Sequence, residues 1–282
     1  MSYTFFVSTP LPVILRTVVQ SLGLDVVCHE EDEIDAGLGD AIAFHFHRPG
    51  LSTRGVEISY DTESCRFEAR APVAASEADF DLALRFCEAA ARTCGASHIG
   101  TEEGDALEVG ARGRFDAAWA SGMMTSSVAA LLAIHQRDHG ELTVSGPVCD
   151  FVFGRRCAVT LQATDAARRG EQLRTMILAV QFPPDDLYVA SVIAVDEGKP
   201  GGMRLAACGA DLGYFFGRVD ALALVDDDHT GAPPTLVAFE HAERVFGDRW
   251  AWLDDGHATL TAIGGAEWRD VLRRARDLPL FD

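Results

Sequence analysis

Positive charge is scarce in this chain, and lysine is nearly missing. Lys199 is the sole lysine among 282 residues, and 24 basic side chains face 43 acidic ones, for a formal charge of −19. Nucleic-acid binding draws on cations that neutralise phosphates. Residues 1–145 carry 22 acids and 10 bases, and residues 146–282 carry 21 and 14, so both halves repel a phosphate backbone. The same deficit disfavours anionic membrane surfaces. A cationic protein would instead be attracted and steered inward. The expected partner is a basic protein, with no nucleic acid and no membrane.

Other absences narrow the chemistry. The seven cysteines contain no Cys-x-x-Cys pair, which a zinc ribbon or a thioredoxin-type motif requires. Their odd number and mostly apolar neighbourhoods fit free thiols in a reducing cytosol. Tyr3–Val7 is apolar, but Thr9-Pro10-Leu11-Pro12 interrupts it and no basic stretch precedes it. A signal peptide is not expected, and a cytoplasmic location is. No uninterrupted apolar run reaches the ~20 residues of a membrane span. Gly-x-Ser-x-Gly is missing, Lys199 is followed by Pro200 rather than a P-loop hydroxyl, and Gly37-Leu38-Gly39 lacks the third glycine of a dinucleotide loop. No catalytic residue and no cofactor are expected.

What is present describes a globular chain. Apolar residues make up 48% and charged residues 24%, close to globular averages. A folded protein of this size buries roughly three-quarters of its unfolded surface and needs no metal or disulfide staple. Arginine and alanine richness fits a GC-rich coding bias, as in many bacteria, and carries no function by itself.

The pattern predicts an α+β fold, with antiparallel or mixed sheets covered by helices. Tyr3–Val7 reads as a strand, then Thr9 as the cap of a helix whose apolar positions are Val13, Ile14, Val18 and Leu22, with Gly23 as its stop. Strands follow at 41–47, 55–60 and 65–71, the last two flanking the turn residues 61–64. Ser76 and Asp79 resemble a capping box that opens a helix through Cys94. The polar stretch 101–114 reads as a connection between an N-terminal α+β subdomain, 1–100, and a C-terminal one, 115–282, or as part of one compact unit. The coarse pattern allows the two halves to be similar α/β subdomains sharing a strand–helix–sheet plan, although no residue repeat supports a duplication.

Beyond the connection, residues 115–139 read as one long helix or two broken near Ser121-Gly122. Strands are expected at 141–145, 151–153 and 157–163. Residues 173–182 and 235–246 fit either strand or helix, because a short apolar run does not separate the two. Leu187–Val195 reads as a buried strand pairing with 203–208. Residues 250–253 and 258–263 form a hairpin around Asp254-Asp255-Gly256. A last amphipathic helix, 266–276, turns Trp268, Val271 and Leu272 inward.

Two acidic loops stand out: Glu30, Glu31, Asp32, Glu33 and Asp35, then Asp226, Asp227 and Asp228. Neither has EF-hand spacing. Repeated carboxylates suit electrostatic capture without strict ligand geometry, so these eight are the expected partner-binding residues. The expected function is non-catalytic binding of a basic protein, in one form an immunity- or antitoxin-type protein neutralising a basic effector.

The alternative is a metal-dependent enzyme or metalloprotein. His135 and His139, four apart on a helix, point the same way and could share a zinc. Gln136 stands where a zincin needs its glutamate base, however, and histidines at a helix end also favour the dipole. His45 and His47 alternate with Phe44 and Phe46, which places both imidazoles on one strand face. That face holds either a metal or proton-transfer pair, or the solvated side of an antiparallel sheet.

Overall fold

The computed structural model describes residues 2–10, 13–28, 34, 43–195, 202–226 and 233–278. The fold is α+β, with seven helices and four mostly antiparallel sheets among these residues. The chain divides into two compact units, Met1–Phe182 and Pro183–Asp282.

In the first unit, β1 (Tyr3–Ser8) shows why alternation makes a half-buried strand. Tyr3, Phe5 and Val7 are buried, while Thr4 and Phe6 lie on the other face. β1 pairs antiparallel with β5 (Arg66–Ala71), which sets Phe5 opposite Ala69 and Val7 opposite Phe67. Five further strands complete the sheet: β2 (Val27–Cys28), β3 (Phe44–His47), β4 (Val56–Asp61), β6 (His98–Thr101) and β7 (Ala106–Glu108). Their order is β2-β3-β4-β5-β1-β6-β7. The core face is covered by α1 (Leu15–Leu22) and α2 (Glu77–Cys94), whose Leu82, Phe86, Ala90 and neighbours are buried.

The start of α1 departs from expectation. Thr9 does not cap it; Thr9 is buried, its carbonyl accepts from the Tyr60 hydroxyl at 3.0 Å, and Ile14 is the N-cap residue. Gly23 ends the helix in the left-handed region, φ 63°, as its position predicts. The Ser76–Asp79 capping box is formed in both directions. Residues 101–114 include the end of β6 and all of β7, and they belong to the first unit. The polar composition read as a connection belongs to an exposed hairpin on the sheet edge.

α3 (Ala117–Asp138) runs unbroken through Ser121-Gly122 and is capped by Asp116, which accepts from the Trp119 amide at 2.9 Å. The hydroxyls of Thr125, Ser126 and Ser127 donate to the carbonyls four residues back. By length and composition alone α3 is apolar enough to cross a membrane. Its Met124, Val128 and Leu131 are buried.

A two-stranded hairpin follows, β8 (Leu142–Val144) with β9 (Phe151–Phe153). Residues 157–163, expected as a strand, form α4 (Arg155–Ala163). Cys157, Val159 and Leu161 alternate like a strand, but Val159 is 57% exposed, and burial falls on Cys157, Ala158 and Leu161 at helical spacing. α5 (Arg169–Gln181) resolves the other ambiguous run as a helix that buries Leu173, Ile177 and Val180.

The second unit holds two four-stranded sheets. One has the order β10-β13-β17-β16, from β10 (Tyr188–Val189), β13 (Tyr214–Phe216), β17 (Ala258–Leu260) and β16 (Trp250–Trp252). The other has the order β11-β12-β14-β15, from β11 (Val192–Val195), β12 (Met203–Cys208), β14 (Ala221–Leu224) and β15 (Thr235–Ala238). These orders differ from that of the first unit, so the halves do not share a topology. α6 (Ala242–Phe246) and α7 (Gly265–Arg276) complete the unit. Phe216, fully buried, stacks on Trp250 at 5.4 Å, and Trp268, Val271 and Leu272 of α7 turn inward as expected.

One expectation fails here in an informative way. Leu187–Val195 is not one buried strand; it breaks at Ala190-Ser191 into β10 and β11, which border different sheets. Tyr188, Val189, Val192 and Ile193 are 48–60% exposed. An apolar run reads the same in a core strand and in an exposed edge, which is why sequence alone misplaces it.

Candidate functional site

Most of the acidic candidates, Glu30, Glu31, Asp32, Glu33, Asp35, Asp227 and Asp228, lie outside the described residues. Asp226 is described and half-buried just past β14. The backbone there is anchored, because the Trp268 indole N–H donates to the Val225 carbonyl at 2.9 Å.

The histidine pairs separate on inspection. His139 is not helical; it is the left-handed C-cap residue of α3, φ 51°. His135 Nδ1 lies 2.9 Å from the Gly140 carbonyl, and its ring meets Phe153 edge-on at 6.1 Å. The four-residue spacing therefore does not place two imidazoles on one helical face. His45 and His47 share a strand face, but in different surroundings. His47 is 4% exposed and its ring centroid lies 6.2 Å from that of Phe182, whereas His45 is exposed. Among the described residues, no three histidine, cysteine or carboxylate side chains are grouped to hold a metal ion.

Three concave regions of the first unit carry charged side chains; one, of about 360 Å³, runs along Asp165, Arg168 and Glu171, and the other two gather residues from several elements. The larger, of about 750 Å³, lies among the start of α2, the first half of α3 and the start of α5. Asp81 organises it, within ion-pair reach of Arg48 at 3.8 Å, Arg85 at 2.8 Å and Arg112. Arg174 on the far wall pairs with Glu171 at 2.9 Å. Glu77 and Asp116 balance the arginines around Asp81, so the cleft is polar but near neutral.

The smaller region, of about 250 Å³, has the opposite balance. His45, Glu57 and Arg70 stand in a row across β3, β4 and β5, set opposite one another by strand register. Arg54 and the Ser145-Gly146 turn close the row. Gln181 clamps that turn: its side-chain oxygen accepts from the Val148 and Cys149 amides at 2.9 and 3.1 Å, and its amide donates to the Cys149 carbonyl. Arg70 pairs with Glu57 at 3.4 Å. Arg54 donates through Nη1 to the Val73 carbonyl at 2.5 Å, while its buried Nε meets no acceptor among the described residues. Burial holds the Arg54 guanidinium below its ordinary value; the charges of Asp79 and Asp150 oppose this, and that of Arg70 adds to it.

Asp79 explains why Arg54 sits there. The Asp79 carboxylate, fully buried, accepts from the backbone amides of Thr53, Arg54, Gly55 and Ser76 at 2.8–3.2 Å, and from the Thr53 and Ser76 hydroxyls at 3.0 Å. The sequence marks Asp79 as a helix cap; its second role, pinning the 53–55 loop, follows from a contact 24–26 residues away that no local pattern reveals. A comparable pair in the second unit escapes local reading too. Buried His257 places Nδ1 2.9 Å from Asp254 Oδ2, and Asp254 Oδ1 also accepts the Gly256 and His257 amides, which locks the β16–β17 turn. A carboxylate at that distance accepts from a proton on Nδ1.

The buried thiols are unreactive by environment. Burial pushes Cys208 up to about 12 and holds Cys87 higher still. Comparison with protein-family models, with curated proteins and with solved structures finds no match for this chain.

Proposed function

We propose that this protein acts without chemistry of its own, by binding a basic protein partner, with the β10–β11 strip of the second unit as the contact surface. The observation that carries the reading is the exposure of Tyr188, Val189, Val192 and Ile193 on two strands that border their sheets. Exposed apolar edge strands are normally short, charged or covered, because an open edge templates pairing with another chain. A strip of this kind fits a partner that adds a strand, with main-chain bonds for affinity and side-chain pockets for specificity.

Charge supplies the preference for a cation. Residues 183–282 contain 18 acidic and nine basic side chains, and Asp185 and Asp186 stand exposed just before β10. Several arginines of this unit are already paired internally, as in Arg204–Asp220 and Arg249–Glu267, which leaves the surplus as carboxylate. Such a field speeds encounter with a basic protein and rejects acidic ones. The acidic loops, Glu30–Asp35 and Asp226–Asp228, belong to the same steering scheme. An immunity- or antitoxin-type role against a basic effector is one concrete form.

Site-specific photo-crosslinking tests the proposal. A photoreactive residue replacing Ile193 is expected to capture one protein of positive net charge, and to lose it when salt rises from about 0.05 to about 0.5 M. The same residue replacing Val159, exposed on α4 of the first unit, serves as control. Equal capture from both positions, or capture insensitive to salt, contradicts the reading.

A further inference from the structure

Arg54 differs from the arginines of the first unit that pair with carboxylates. Arg48, Arg85 and Arg112 meet Asp81, Arg114 meets Glu103 and Asp105, and Arg137 meets Asp138. Arg54 makes no ion pair among the described residues. Its one side-chain hydrogen bond goes to the Val73 carbonyl, and its Nε is sealed from solvent without an acceptor. The nearest structural explanation, an ion pair with Asp79, fails because that carboxylate is occupied by amides and hydroxyls of the 53–55 and 76 segments. The charges of Asp79 and Asp150 favour the guanidinium without accepting a bond from it among the described residues, which leaves an excess of donors over acceptors around a mostly buried cation.

The surroundings concentrate this imbalance. Two guanidiniums and one imidazole, from Arg54, Arg70 and His45, face a cavity of about 250 Å³ that holds a single carboxylate, Glu57. Glu57 is drawn towards Arg70 at 3.4 Å. The exposed Ser145 adds a hydroxyl donor on the rim. The scaffold is rigid for such a small feature: three adjacent strands present His45, Glu57 and Arg70, Asp79 pins the Arg54 backbone, and Gln181 pins the 145–149 turn.

We infer that the cavity bounded by His45, Arg54, Glu57, Arg70 and Ser145 is a binding site for a small oxyanion, a phosphate group. Arginine's fork of donors matches tetrahedral and planar oxyanions, and charge-assisted bonds are the stronger class. The volume accepts a phosphate group together with a small ester substituent or a few waters. The overall charge of −19 does not forbid it, because at physiological ionic strength charges beyond about 8 Å are largely screened. This site is built from residues of the first unit alone and rests on none of those proposed for partner binding.

The test is calorimetric titration of the full chain with inorganic phosphate and, separately, glycerol phosphate, at about 0.15 M salt. Saturable one-to-one binding with a Kd on the order of 1 mM or tighter is expected. Arg54→Met and Arg70→Gln should each weaken it at least about tenfold. Stronger binding of inorganic phosphate assigns the site to the free ion, and stronger binding of glycerol phosphate assigns it to a monoester; both support the inference. Circular dichroism checks that each variant folds. If Arg54→Met does not fold, Arg70→Gln, whose side chain is half exposed, decides alone. The inference is overturned if neither anion binds saturably, or if binding is unchanged in the folded variants.

Discussion

At the scale of single residues, buried polar groups decide more than their number suggests. Asp79 collects donors from four backbone amides and two hydroxyls, so its removal leaves several of them buried without acceptors. Asp79→Ala is expected to lower stability by about 3 kcal/mol, read as a shift in the urea midpoint at constant slope. Asp79→Asn, which keeps an acceptor oxygen, should cost less. The thiols offer a second check. Cys65 and Cys94 are exposed and should alkylate in the native protein, whereas Cys87, Cys157 and Cys208 should alkylate only after unfolding, as mass spectrometry of the labelled peptides would show. Acid stability supplies a third. The Arg204 side chain, with its backbone amide, holds the Asp220 carboxyl below the ordinary carboxylate value. A depressed folded-state value means stability that is complete above the unfolded value of about 3.9 and is lost as pH falls towards the folded one. The stability gap between the wild type and Asp220→Asn should therefore be constant from neutral pH to about pH 5 and shrink below it.

At the scale of elements, periodicity carries the reading until tertiary context outweighs it. The strand alternation of Tyr3–Val7, the capping box at Ser76 and Asp79, the glycine stop at 23, and the α7 stripe are all written locally and all form. Residues 157–163 mislead because cysteine, valine and leucine happen to alternate, while the packing they meet asks for a helix that leaves Val159 outside. Leu187–Val195 misleads because hydrophobicity reports what could be buried, and two sheet edges instead leave it open. His139 misleads because the helix ends one residue earlier, and a left-handed cap redirects its side chain. The pocket around Arg54 is invisible to any window, since it joins residues from 45 to 147. An element-level prediction follows from α3, whose N-cap was not legible: Asp116→Ala should cost about 1 kcal/mol in denaturant unfolding. Ile193→Lys on β11, by contrast, should stay within about 0.5 kcal/mol of the wild type, because the side chain is already in water.

At the scale of the whole molecule, the account joins a surplus of carboxylates to one apolar strip. In the proposed binding mode the charge sets encounter rates and partner sign, and the strip sets where contact is made. The most direct measurement takes the partner captured at position 193, purifies it, and follows its association with the wild type and with Ile193→Lys across a salt series, alongside amide hydrogen exchange of the complex. The account predicts an association rate that falls at least about tenfold between 0.05 and 0.5 M salt, protection centred on 188–195, and weakened binding by the folded Ile193→Lys variant. An association rate indifferent to salt, with protection elsewhere and full binding by Ile193→Lys, would contradict it.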